Sequence, residues 1–147
     1  MRWRMVDRIV EFQPWRRAVA RKAVTLEAYA LLEALGRENA FPEVFTLEAC
    51  VETARHLVAR SSDFALTARL DGVDAFAFHR PVTGGRMLEV AIEVTERTSE
   101  AVACASVVRD GDETVAAGAI HLRLFPLAQA FDPTLTRGAW EQLHGAA

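Results

Sequence analysis

The sequence predicts an α+β fold in which an antiparallel sheet of six or seven strands wraps around one long central helix. Three observations predict it. Residues 42–61 carry an apolar stripe at three- and four-residue steps. Residues before 25 and after 63 instead alternate apolar with polar side chains. Short Gly, Asp and Pro clusters punctuate the later stretches where chain reversals belong.

Residues 5–12 alternate loosely through Val6, Ile9, Val10 and Phe12 until Gln13-Pro14 interrupts them, which reads as a strand and a turn. Residues 17–25 alternate better, mixing Ala18, Val19, Ala20, Ala23 and Val24 with basic groups, so the two runs make a hairpin. Residues 26–40 have helical composition, with Leu31, Leu32 and Leu35 on one side and Gly36 as a stop. Pro42 suits the first position of the main helix, where a missing N–H costs nothing, and Glu43 complements the positive end of the dipole. Val44, Leu47, Val51, Ala54 and Val58 form the stripe, while Phe45, Glu48, Glu52, Arg55 and His56 fall along another side. Ending near Ser61-Ser62, such a helix is about 28 Å long. Strands follow at 64–70, 73–78, 87–96, 101–109 and 114–125, the last three as a meander. Leu88, Val90, Ile92 and Val94 set against Glu89, Glu93 and Glu96 imply one covered and one wet face. Residues 1–126 thus make one domain. Residues 127–147 hold Trp140, but their Ala, Gly and Pro content reads as a loosely attached tail.

The chain has 147 residues, 51% of them hydrophobic and 25% charged, which excludes disorder, collagen-like repeats and coiled coil. It holds no apolar run of about 18 residues and no signal peptide, so a cytoplasmic protein without a membrane partner is expected. Cys50 and Cys104 lack metal-ligand spacing and read as small buried apolar residues. A net charge of −3 suggests no nucleic-acid partner. Residues 1–22 nevertheless hold seven basic side chains against Asp7 and Glu11, a solvated strand face or a lure for an acidic partner. One lysine beside 16 arginines and 26 alanines reads as codon bias of a GC-rich, bacterial genome.

Three segments in order resemble the hot-dog fold of 3-hydroxyacyl-acyl-carrier-protein dehydratases (FabZ/FabA-type). Met5-Val6-Asp7-Arg8-Ile9 resembles the family's opening strand, L-V-D-R-V. Phe41-Pro42-Glu43-Val44 with Leu47-Glu48-Ala49 resembles the helix start M-P-G-V-x-x-x-E-A. The run from Phe78-His79-Arg80-Pro81-Val82 through Gly84-Gly85 to Arg86-Met87-Leu88 resembles F-K-R-P-V-x-P-G-D-x-L.

The resemblance implies a homodimer with acyl tunnels at the subunit boundary and a substrate carried on the phosphopantetheine of acyl carrier protein or CoA. It implies no cofactor or metal of the protein's own. In the family a helix carboxylate of one subunit works with a histidine of the other to remove water from a 3-hydroxyacyl thioester. The carboxylate maps onto Glu48. The histidine, normally in G-H-F-P-G-H-P before the helix, falls on Ala34, and the glycine after the helix proline is Glu43. Val44, Phe45, Phe76 and Phe78 are the expected acyl-chain contacts, and Arg80 and Arg86 flank a turn near the tunnel mouth, placed for phosphates or an acidic carrier protein.

Dehydration needs a base for the proton alpha to the carbonyl and an acid for the departing hydroxyl. A carboxylate in an apolar tunnel can serve as the acid, but without a base general acid–base catalysis loses roughly 10²–10⁴-fold. The expectation is an acyl-thioester-binding protein of fatty-acid or polyketide-type lipid biosynthesis, inactive alone or dependent on a His-bearing paralogue as heterodimer partner. Two alternatives stand beside it: an acyl-CoA or acyl-carrier-protein thioesterase using Glu48 as base or nucleophile, and a non-catalytic binding or scaffold protein.

Overall fold

In a computed structural model the described residues are 4–25 and 41–145. The helical reading of 26–40, and Ala34 with it, lies outside them. The chain forms β1 (Arg8–Gln13), β2 (Arg17–Ala23), α1 (Glu43–Ser61), β3 (Leu66–Phe78), β4 (Met87–Arg97), β5 (Ala101–Asp110), β6 (Glu113–Pro126), a 3-10 turn (Leu127–Gln129) and α2 (Pro133–His144). The six strands make one antiparallel sheet in the order β1-β2-β4-β5-β6-β3. This is the expected α+β arrangement.

Period-two patterning decides which face of the sheet meets the helix. Leu88, Val90 and Ile92 of β4 are fully buried, as are Val102, Cys104 and Val108 of β5 and Ile120 and Leu122 of β6. The intervening Glu89, Glu93, His121 and Arg123 are exposed. Against this face α1 buries Ala49, Cys50, Val51, Thr53, Ala54, Leu57 and Val58, mostly small side chains that let the helix sit close. Each Leu, Ile or Val fully buried there contributes about 1.5–3 kcal/mol.

The helix has the predicted 19 residues and ends at Ser61. Its start differs by one position. Pro42 is the N-cap, and its carbonyl accepts from the backbone N–H of Phe45 (2.9 Å) and of Thr46 (3.4 Å). The stop is built without glycine: Asp63 (φ 51°) and Phe64 (φ 63°) both turn left-handed, and Phe64 N–H donates to Ala59 O at 2.7 Å. Burial of the Phe64 ring holds that conformation in place.

Two readings of the chain need correction. Asp71-Gly72, expected to separate two strands, is a bulge inside one 13-residue strand, because β6 keeps pairing on both sides of it: Leu70 with Leu122, Gly72 with His121. Residues 127–147, expected as a loose tail, contain α2, whose Trp140 and Leu143 are buried. Asp132 caps that helix by accepting from Thr134 N (2.8 Å) and Leu135 N (3.3 Å), with Pro133 in the first turn. Trp140 meets Phe12 edge-on at 5.1 Å between ring centroids. Composition counts the helix breakers at 132–138 but not the single indole that docks the segment.

Candidate active site

Glu48 lies in the second turn of α1, off the buried face, with its side chain 46% exposed. Among the described residues its ion-pair partner is Arg55, whose Nη1 stands 3.3 Å from Glu48 Oε1. Spacing alone favours Glu52 as the partner of both Arg55 and His56, and the structure corrects half of that. Arg55 Nε donates to Ala68 O of β3 at 2.9 Å. That bond aims the guanidinium back toward the helix N-terminus, the direction helical side chains already lean, and the long stem covers two turns. Glu52 keeps His56, at 3.7 Å, and accepts from Met5 N–H at 3.3 Å.

The other candidates fall into separate groups. Val44 is 62% exposed, whereas Phe45 is half buried and edge-on to Phe41 at 5.6 Å. Phe76 and Phe78 on β3 tilt together at 5.2 Å. Phe76 lies on Gly118 of β6, where an added Cβ would collide with the Phe76 backbone at Cα and stand 2.8 Å from its Cβ. A second β3 bulge, between Asp74 and Ala77, with Ala75 at φ 47°, sets that ring in place.

Arg80 and Arg86 do not stand as free cations. Both grip Asp110, which is only 9% exposed: Arg80 Nη2 at 2.8 Å and Arg86 Nε at 2.9 Å from Oδ2. Arg80 Nη1 also reaches Glu113 at 2.6 Å. Asp110 holds the Arg86 guanidinium above its ordinary pKa, first by hydrogen bonding and then by charge. The clamp ties the 81–86 turn to the β5–β6 hairpin. Asp110 was legible only as a turn residue, since nothing local marks a carboxylate that binds two arginines over 20 residues away.

No histidine joins Glu48. His56 faces Glu52 and Trp140, His144 stacks on Trp140 at 5.3 Å, and His79 and His121 are exposed on or beside strands. Burial pushes the Cys50 and Cys104 thiols up to about 12, so neither is a nucleophile.

No protein-family model matches the chain. Individual proteins do. The 3-hydroxyacyl-acyl-carrier-protein dehydratase FabZ of Anaeromyxobacter sp. (strain K) is 34% identical over 117 residues, spanning 76% of this chain and 74% of the relative. The chain belongs to the 3-hydroxyacyl-acyl-carrier-protein dehydratase family. FabZ of Clostridium novyi (strain NT) is 27% identical over 113 residues, spanning 76% of this chain and 80% of that one. Among solved structures, a hot-dog-like protein from Thermanaerovibrio acidaminovorans superposes with a TM-score of 0.65 at 14% identity, over 91% of this chain and 95% of its own. The fluoroacetyl-CoA thioesterase FlK superposes at 0.69 and 10% identity, over 81% and 92%. These likenesses show the hot-dog fold. The segments 5–9, 41–49 and 78–88 lie at the entry to β1, at the entry and first turns of α1, and along the β3–β4 connection. No helix among the described residues is long and apolar enough to cross a membrane.

Proposed function

We propose that the chain binds acyl thioesters carried on the phosphopantetheine of acyl carrier protein or CoA, as a dehydratase-family subunit that does not complete an acid–base pair by itself. One observation carries the proposal: Glu48, at the family's carboxylate position, has Arg55 as its charged neighbour, and all four histidines are engaged or exposed elsewhere. Membership of the dehydratase family and the fold shared with a thioesterase both support a thioester ligand. In this reading Val44, Phe45, Phe76 and Phe78 meet the acyl chain. The pantetheine phosphates meet the exposed Arg86 rather than Arg80, whose guanidinium already carries two carboxylates. A subunit with Glu48 alone supplies one of the two proton-transfer groups, so turnover falls roughly 10²–10⁴-fold below a complete pair, and a His-bearing paralogue in a heterodimer restores it.

The test follows water loss and free thiol together, with 3-hydroxyacyl and saturated acyl thioesters on carrier protein and on CoA. The expected result is silence in both channels from the purified protein, a raised melting temperature with intact thioester, and water loss on co-expression with a His-bearing paralogue. Water loss by the purified protein at the rate of a His-bearing relative overturns the proposal. Thiol release that disappears in Glu48→Gln also overturns it, in favour of a thioesterase.

A further inference from the structure

The cleft between α1 and α2, about 380 Å³, does not include Glu48, although Arg55, the partner of Glu48, stands on its wall. Its volume falls in the range of small-molecule pockets. Val6, Ala59, Leu127 and Leu143, all buried, give it an apolar floor. Phe131 (52% exposed) and Leu135 (73% exposed) form an apolar rim.

The polar groups on its walls are unequal. Asp132 turns its carboxylate into the N-terminus of its own helix, and Glu52 is held by Met5 N–H and His56, so both acids have their charge answered. Arg55 is engaged by Glu48 and Ala68 O. Two donors are left over among the described residues. The Arg4 guanidinium makes no ion pair or hydrogen bond, although its backbone is anchored by Lys22 Nζ donating to Arg4 O at 2.7 Å. Thr67 lines the cleft, is only 4% exposed, and its hydroxyl makes no hydrogen bond among the described residues. It is not sealed in, as Arg80 Nε and Ser106 Oγ are, so it opens on the cleft and is answered by what enters there.

We propose that this cleft is a second ligand site, taking a small amphipathic carboxylate whose charged end meets Arg4 and Thr67 and whose apolar chain lies on the Leu127–Leu143 floor. An unpaired guanidinium selects an anion, the planar fork suits a carboxylate, and the apolar floor selects a hydrocarbon body. The site stands independently of the thioester reading because it uses neither Glu48 nor the β3 aromatic pair.

The probe is octanoate, titrated calorimetrically into the full chain, with octanol as the uncharged control. One saturable site is expected, with octanol at least about tenfold weaker, since a hydrogen bond to a charged group is worth at least that ratio. Arg4→Gln lowers octanoate affinity about tenfold and leaves octanol unchanged. Leu135→Glu, on the exposed rim where folding is not at stake, also weakens octanoate by setting a carboxylate at the mouth. Phe78→Ala, at an acyl contact of the thioester reading that does not line the cleft, leaves octanoate binding intact, which separates the two sites. Absence of saturable heat, equal binding of octanol, or loss of binding in Phe78→Ala overturns the proposal.

Discussion

Replacing Trp140 with alanine is the sharpest perturbation of this fold, because it asks whether residues 127–147 belong to the folded body. Trp140 is 5% exposed, edge-on to Phe12 at 5.1 Å, stacked on His144 at 5.3 Å and 6.2 Å from His56. Truncating a buried Trp costs about 3–5 kcal/mol, of which the aromatic pairing with Phe12 accounts for about 0.5–1.5 kcal/mol. One side of α2 faces solvent, so the helix can settle into part of the space, and the low end, about 3 kcal/mol, is expected. Against a typical total of about 5–15 kcal/mol this is a large fraction. It corresponds to a fall in melting temperature of roughly 6–12 °C at about 2–4 °C per kcal/mol. Urea unfolding followed by far-ultraviolet circular dichroism measures it, since removing one of the three tryptophans changes the fluorescence signal itself. A shift worth less than about 1 kcal/mol would refute the docking of α2 and restore the loose tail.

Gly118→Ala should destabilise by about 1–3 kcal/mol, because the new methyl meets Phe76 backbone rather than a movable side-chain tip; an unchanged melting temperature contradicts this. Ala75→Gly should stabilise by about 0.5–1 kcal/mol, since relief of the left-handed φ of 47° exceeds the entropic cost of glycine, and a lower denaturation midpoint speaks against strain there. Cys50 and Cys104, with thiols pushed up to about 12 by burial, should resist iodoacetamide at pH 8 in the folded protein and react once unfolded, as mass spectrometry reads out. Because the folded pKa values are raised, the associated stability is present below the ordinary thiol range and is lost as pH rises from there toward about 12. Glu48→Gln should shift the denaturation midpoint by less than about 1 kcal/mol, the Arg55 pair being partly exposed on both sides.

The elements with strong periodicity were legible in the chain. The 19-residue helix and the meander of β4, β5 and β6 follow from stripe and alternation, which report burial directly. What failed was punctuation. Asp71-Gly72 is a turn signal in isolation, yet β6 supplies an uninterrupted partner and the pair becomes a bulge. Pro14, by contrast, marks a true reversal because Arg16 N–H closes the turn onto Gln13 O at 3.0 Å. The candidate site was legible as residue types and not as partnerships: Glu48 could be named from its place in a motif, but Arg55, Asp110 and Gly118 act through contacts that only the folded sheet creates.

The outward side of α1 shows how tertiary contacts sort charges that helical spacing leaves ambiguous. Glu48, Glu52, Arg55 and His56 could pair in more than one way along the helix, and Glu52 stands at the favoured distance from both cations. A carbonyl of β3 captures Arg55 and turns it toward Glu48, while the N–H of Met5 captures Glu52 and leaves it facing His56. The result is two pairs, one tied through Arg55 to Ala68 of the edge strand, the other facing the cleft under α2, whose wall Arg55 also joins. A histidine therefore exists on the same helix, about two turns from Glu48, but it faces Glu52, one turn away. On the proposed reading, a base that works with Glu48 comes from outside this set, from a His-bearing paralogue rather than from a rearrangement of α1.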